Sequence, residues 1–408
     1  MFVELGMSPE VGQAVLACPP VLAEPSPLPK RDRGQASTGC PTRTRSAPRA
    51  FMPDLPPAMV EVMSRMLSEI REQPQALERT LAGAAPAVAA LRRVLEKRRP
   101  RLIVLVARGT SDNAALFGRY LIEIATGIPV SLAAPSITTL YGAQLDYRET
   151  LVVALSQSGE STDTNLVLER ARKSGALTLG ITNERDSTLA HLAEHVFLVR
   201  AGAEKSVAAT KTYTGQLLLL YLLASVLGGS LRPADLERLP AAVASALRLE
   251  PEIGALSERY RFMRQAVVIG RGLNYANAFE FSLKLMETCY VVAERFSSAD
   301  LLHGPIALVE QGFPVFAFAP PGETWGSMSE VLGKLKQVQA EIVAITDSGN
   351  RQVEACATKV IRLPRKLKEA LTPIPYIVPA QLFAAYLAVQ KGLDPDRPRT
   401  LHKITPNL

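Results

Sequence analysis

The sequence predicts a doubly wound α/β fold, present as two tandem copies, each a mainly parallel sheet with helices on both faces. Three observations carry this. Apolar runs of three to six residues recur along the chain, helix-length stretches separate them, and the runs repeat at one offset across two halves. Continuous apolar runs of this length read as strands buried on both faces, which is the habit of parallel sheets built from βαβ units.

The elements follow in order. Residues 52–97 carry apolar positions at helical spacing (Met59, Val62, Met63, Met66, Leu67, Ile70), so a helical segment precedes the first copy. The run at 102–106 meets Arg108-Gly109, and 163 residues later the run at 267–269 meets Arg271-Gly272. The run at 151–155 leads to Gly159-Glu160, and at the same offset 315–319 leads to Gly322-Glu323. LTLGIT at 177–182 matches IVAIT at 342–346, and 196–199 matches 360–363, both at 164. A fixed period over four strands marks an internal repeat. The expected bounds are 98–235 for the first copy and 255–396 for the second. A helical linker stands between them, and 397–408 forms a closing tail.

Residues 1–51 differ in kind. They hold eight of the 30 prolines and two of the four cysteines, Cys18 and Cys40, with no sustained periodicity. Such a segment cannot bury enough apolar surface to offset its ordering entropy, so a disordered extension is expected, with translation starting at Met52. It lacks the compact apolar stretch of a signal peptide.

Composition narrows the function. The charge of +7, from 46 basic and 39 acidic residues, is spread along the chain without a basic run interleaved with aromatics, so no nucleic-acid partner is expected. The run at 217–226 is too short to span a bilayer. The cysteines form no C-x-x-C pair and the four histidines no metal-ligand spacing, so neither a metal nor another cofactor is expected. These features point to a cytoplasmic enzyme.

In doubly wound sheets, ligands bind beyond the carboxyl ends of the strands, at helix N-termini. The loops there are Arg108-Gly109-Thr110-Ser111-Asp112-Asn113 and Ser156-Gln157-Ser158-Gly159-Glu160-Ser161-Thr162, dense in hydroxyls. Helix-start N–H groups and hydroxyls together hold a phosphate without a P-loop; singly, each loop reads equally well as helix capping. The counterpart in the second copy, Ala319-Pro320-Pro321-Gly322, lacks the hydroxyls, so the phosphate site belongs to the first copy. A dinucleotide reading fails because Tyr275 stands where Gly270-Arg271-Gly272 would need its third glycine.

The run Leu155-Ser156-Gln157-Ser158-Gly159-Glu160-Ser161 resembles the phosphosugar signature of sugar isomerase (SIS) domains, and the resemblance runs from about residue 100 to 408. It includes Ala201 to Lys211, Leu302-His303-Gly304-Pro305 and the tail from Asp394. Two tandem domains of this kind resemble the isomerase half of glutamine–fructose-6-phosphate aminotransferases and, more strongly, isomerase-type glucosamine-6-phosphate deaminases. The resemblance implies that Ser111, Ser156, Gln157, Ser158 and Ser161 hold the phosphate, with Ser161 standing where the family usually has Thr. It implies that Val207 and Ala209 line the sugar site, Ala209 replacing a frequent Ser.

Glu280, Lys284 and Glu287 lie at i, i+4 and i+7, on one helix face. Spacing alone fits a solvated stripe of ion pairs. The resemblance instead makes Glu287 the proton-shuttling base, with Glu280 and Lys284 its polar neighbours at the substrate. It likewise implies that His303 opens the sugar ring from a neighbouring subunit, so that a homodimer shares the site, and that Lys403 lies at the sugar carbonyl. His402 stays unassigned.

Chemistry follows from these types. An imidazole moves protons between O1 and O5, and a carboxylate then moves one between C1 and C2 through an enol-type intermediate. Residue 2 is Phe2 and about a hundred residues precede the first strand, against the roughly 200 a glutamine-hydrolysing domain would need. The expected activity is deamination of glucosamine 6-phosphate to fructose 6-phosphate and ammonia. The alternatives are another aminosugar phosphate such as galactosamine 6-phosphate, ammonia-dependent glucosamine-6-phosphate synthesis, or a non-catalytic phosphosugar sensor.

Overall fold

The computed structural model describes residues 64–401 and 403. The expectations for residues 1–51, for Met52 and the helical pattern up to residue 63 (Met59, Val62 and Met63), for His402 and for 404–408 lie outside the described residues. Helices α1 (Arg65–Arg71) and α2 (Gln73–Lys97) come first. The first copy then runs β1 (Leu102–Val106), α3 (Thr110–Thr126), β2 (Val130–Leu132), α4 (Pro135–Thr139), β3 (Thr150–Leu155), α5 (Thr162–Lys173), β4 (Leu177–Thr182), α6 (Thr188–Leu192), β5 (His195–Leu198) and α7 (Lys211–Val226). Helices α8 (Pro233–Leu236), α9 (Leu239–Leu247) and α10 (Glu250–Glu258) link the copies. The second copy runs β6 (Gln265–Gly270), α11 (Tyr275–Cys289), β7 (Val292–Ser297), α12 (Ser298–Leu302), β8 (Pro314–Phe318), α13 (Trp325–Gln337), β9 (Glu341–Asp347), β10 (Lys359–Leu363) and α14 (Pro373–Gln390).

Both sheets are parallel throughout. Their orders are β2-β1-β3-β4-β5 and β7-β6-β8-β9-β10, one topology used twice. The four strand pairs that share a register in the sequence occupy matching places in the two sheets. In β3 and β4 every residue is buried, which explains their uninterrupted apolar runs. Two strands gave no such signal. β2 has only three residues, and β7 carries Glu294 and Arg295 at positions that are not buried, so neither shows a continuous apolar run.

The halves meet through helices rather than strands. α11, from the second copy, packs on α3 of the first. Tyr120 and Tyr275 sit edge to face at 6.4 Å, and Asn113 Nδ2 donates to Glu280 Oε2 at 2.8 Å. The start of α11 is pinned from two sides. Asn277 donates to the Pro373 carbonyl at 2.9 Å and accepts from the Tyr213 hydroxyl at 3.2 Å, while Asn274 donates to Thr372 at 2.7 Å. α14 and α7 are apolar nearly all round because both are buried on nearly all sides.

Gly270 lets the chain turn tightly from β6 toward α11. A Cβ there would lie 2.4 Å from the Asn274 carbonyl oxygen and 2.9 Å from its carbon, both backbone atoms that cannot yield by rotation. Gly270→Ala is expected to cost about 1–3 kcal/mol in urea denaturation, as overpacking does, and to weaken substrate turnover along with it. An unchanged midpoint would show that the α11 start is not held by this contact.

Candidate active site

Strands β1 and β3 end side by side, and their loops open on one cavity of about 320 Å³. Ser111, Ser156, Gln157, Ser158 and Ser161 all line it. The serine loop is folded by its own hydroxyls. Ser156 Oγ accepts from the Gly159 N–H at 3.1 Å, and Ser158 Oγ from the Glu160 N–H at 3.3 Å. Gly159 sits at φ 70°, a left-handed conformation that glycine adopts without strain, and a Cβ there would meet Ser187 Oγ at 2.1 Å.

Neither helix start carries a side-chain cap. Ser161 is the N-cap of α5, yet its hydroxyl pairs with Thr164 Oγ1 at 3.0 Å rather than with a backbone N–H. The N-cap of α3 is Gly109, which has no side chain. Two helix N-termini therefore face the cavity without side-chain caps, with their partial positive charge available to an anion.

The opposite wall comes from residues 201–212. Val207 and Ala209 line the cavity, as does Thr212, which sequence reasoning did not single out. A buried carboxylate shapes this wall. Glu204 accepts from the Thr210 and Thr212 N–H groups at 2.9 and 3.1 Å and from Thr212 Oγ1 at 2.6 Å. Glu69 of α1 accepts from the Ser206 N–H at 3.2 Å; burial pushes its carboxyl up, against the lowering by the Lys205 N–H it also accepts. Lys403 reaches the cavity from the chain's far end, its Nζ 2.6 Å from the Ser206 carbonyl oxygen and 3.3 Å from Glu204 Oε2. No local pattern could reveal a contact between residues 199 positions apart.

Glu287, on α11, lines the cavity from the second copy. Behind it lies a buried charge network. Lys284 Nζ donates to Glu287 Oε2 at 2.7 Å and to Thr110 Oγ1 at 3.1 Å, and stands 3.3 Å from Glu280 Oε1. Lys284 is 1% exposed and Glu280 0%, which rules out the solvated-stripe reading of their spacing. Both stand behind the cavity wall rather than on it, so direct contact of either with substrate, expected from the sequence, is not what the structure places. Burial pushes the Glu280 carboxyl up to about 7, with Lys284 and Asn113 pulling the other way. Burial also disfavours the Lys284 ammonium, but its two carboxylate neighbours outweigh that and hold the amine above its usual range.

His303 is not brought to this cavity by its own chain. It caps the C-terminus of α12 and is exposed. Arg108, noted in the sequence only as part of a turn, does line the cavity and pairs with Asp163.

A comparison with protein families matches the SIS domain model twice, at residues 98–226 and 261–391. The chain belongs to the SIS domain family. Among curated SIS-family relatives, the glutamine–fructose-6-phosphate aminotransferase of Pyrococcus horikoshii is 39% identical over 348 residues, covering 83% of this chain and 57% of that protein. The chain thus spans little more than half the length of the aminotransferases it matches. Among solved structures, the C-terminal domain of the Francisella tularensis glucosamine-fructose-6-phosphate aminotransferase is 30% identical with a TM-score of 0.75, covering 82% of this chain and 98% of that one. A glucosamine-6-phosphate deaminase from Thermotoga maritima, at 22% identity, a TM-score of 0.68 and coverage of 84% and 100%, shares the SIS fold. Among the described residues no helix is long and apolar enough to cross a membrane, and no group of His, Cys, Asp and Glu is placed to hold a metal ion.

Proposed function

We propose that this chain interconverts fructose 6-phosphate and glucosamine 6-phosphate by aldose–ketose proton transfer, with free ammonia entering or leaving at C2. The observation that carries this is the meeting of a serine cradle and a carboxylate in one cavity, from opposite halves of the chain. Ser111, Ser156, Gln157, Ser158 and Ser161 grip the phosphate with hydroxyls and helix-start amides. Glu287 moves the proton between C1 and C2, and Lys403 stabilises charge at the carbonyl oxygen or forms a transient Schiff base. Deamination and ammonia-dependent synthesis are the two directions of one reaction. The sequence pointed to deamination. The curated relatives described above and the Francisella tularensis structure carry the aminotransferase name, and they support synthesis as the favoured direction.

The deciding assay supplies fructose 6-phosphate with ammonium, then glucosamine 6-phosphate alone, then galactosamine 6-phosphate. Glucosamine 6-phosphate formed in the first, or ammonia released in the second, supports the proposal. Turnover of the galacto epimer alone would redirect it to that sugar. Tight binding with no turnover would leave a sensor.

The exposed His303 fits a role in a second copy's cavity, within a homodimer. Mixing His303→Ala with Glu287→Gln tests this. In a two-fold dimer with shared sites, each variant alone is inactive and an equal mixture regains about a quarter of the wild-type rate. A mixture as inactive as its parts would remove His303 from the shared site.

A further inference from the structure

The serine loop from Ser156 to Ser161 contributes no cation to the cavity, yet a sugar phosphate brings up to two negative charges. Among the described residues, two cations line this cavity, and they stand at different walls. Lys403 is tied to Ser206 and Glu204 on the wall that holds Val207 and Ala209. Arg108 is tied to Asp163, in the first turn of α5, immediately beyond the serine loop. Its own residue lies at the end of β1, one position before Gly109, the N-cap of α3. The guanidinium therefore sits between the two uncapped helix starts.

The pairing leaves donors to spare. Nε and Nη2 of Arg108 both point at a single oxygen, Asp163 Oδ2, the former at 3.2 Å. A guanidinium carries five N–H donors in a planar fork suited to bidentate recognition of phosphate. Asp163 is nearly buried, with 9% of its side chain exposed, whereas Arg108 is 45% exposed. The carboxylate is thus the fixed partner, and the guanidinium is the one with room to turn toward the cavity.

We propose that Arg108 is a phosphate-binding residue of this site, and that Asp163 holds it at the cavity edge and tempers its charge. This rests on the phosphosugar reading above and deepens it: the cradle is not neutral, and its affinity for the phosphate is set by a balance between Arg108 and the carboxylates beside it, Asp163 at hydrogen-bond distance and Asp112 through charge. The alternative is a strut, with the ion pair merely fastening the β1 end to α5.

Isothermal titration of the full chain with fructose 6-phosphate and, separately, with inorganic phosphate distinguishes the two. Arg108→Met removes the charge while keeping the unbranched stem of the side chain, and is expected to weaken both ligands about tenfold, a reduced share of what a charge-assisted bond contributes because the group is half exposed. Asp163→Asn is expected to act in the opposite direction and tighten both about threefold, since the repelling anion is gone and Arg108 is released. Steady-state kinetics should show the Arg108→Met effect in KM, with kcat within about threefold, as for an interaction equal in ground and transition states. Opposite signs for the two variants support the proposal. Unchanged affinities, or shifts of one sign accompanied by equal losses of thermal stability, overturn it in favour of the strut. Should wild type bind no hexose 6-phosphate at all, the functional reading fails, and the inorganic phosphate series still decides the role of Arg108.

Discussion

Glu287→Gln is expected to slow hydrogen exchange at C1 of fructose 6-phosphate by about a thousandfold, in the range a positioned general base contributes. The amide keeps the size of the side chain and its ability to accept a bond from Lys284, which Glu287 Oε2 takes at 2.7 Å. It loses only the capacity to take and return a proton. Binding should survive within about threefold, because the proposed phosphate contacts lie in the other half of the chain, and binding shared by ground and transition states is separable from the chemical step. Deuterium wash-in followed by NMR reads the exchange, and titration reads the affinity. Exchange within tenfold of wild type would assign the base elsewhere; loss of binding in step with exchange would make Glu287 a substrate anchor instead.

The second large effect belongs to Lys284, which is not among the residues lining the cavity. It bridges Glu280, Glu287 and Thr110 across the two halves. Lys284→Met fills a similar volume but leaves two carboxylates together in a buried setting without their counter-ion. Breaking one side of a buried ion pair typically costs about 3–5 kcal/mol, and a loss of that order is expected in urea denaturation. The sign of its pH dependence follows from Glu280. In the wild type the native carboxyl is raised from 4.5 to about 7, so across that window the folded chain binds more protons than the unfolded one. The contribution of this group therefore falls as pH rises through the window. Without Lys284 to oppose burial, the native carboxyl climbs further, so the variant's deficit should widen between pH 5 and pH 8. Adding Glu280→Gln should recover part of the loss and flatten that dependence. A variant as stable as wild type at pH 8 would mean that water, not Lys284, compensates these carboxylates. In the wild type, the share owed to Lys284 itself is fully present below the amine's unfolded value of 10.5 and is lost as pH rises above it toward the raised native value.

Much of the architecture could be read from the chain, because central parallel strands must be apolar on both faces and so leave unbroken runs such as Leu151 to Leu155. Strands β2 and β7 could not, since one has only three residues and the other leaves Glu294 and Arg295 unburied. The same division runs through the candidate site. Ser156, Gln157, Ser158 and Ser161 are one local loop, and their chemistry is visible wherever the loop is read. Glu280 and Lys284 could be placed on one helix face by spacing, but spacing is silent on what the face meets. Only the docking of α11 on α3 shows that it meets Thr110 and Asn113, out of water and behind the cavity. Thr212 and Glu204 escaped notice because their importance depends on Lys403, which arrives from the other end of the chain.

By itself the sequence determined the repeat, the two parallel sheets and the hydroxyl-rich loops at the end of the first, because periodicity and turn chemistry are written in residues a few positions apart. Tertiary structure alone decided which loops share a cavity, which charges lie in it and which lie behind it, and that His303 faces outward. Those outcomes depend on burial and on distances between residues a hundred or more positions apart, and burial fixes whether a charged group is solvated or must find a partner.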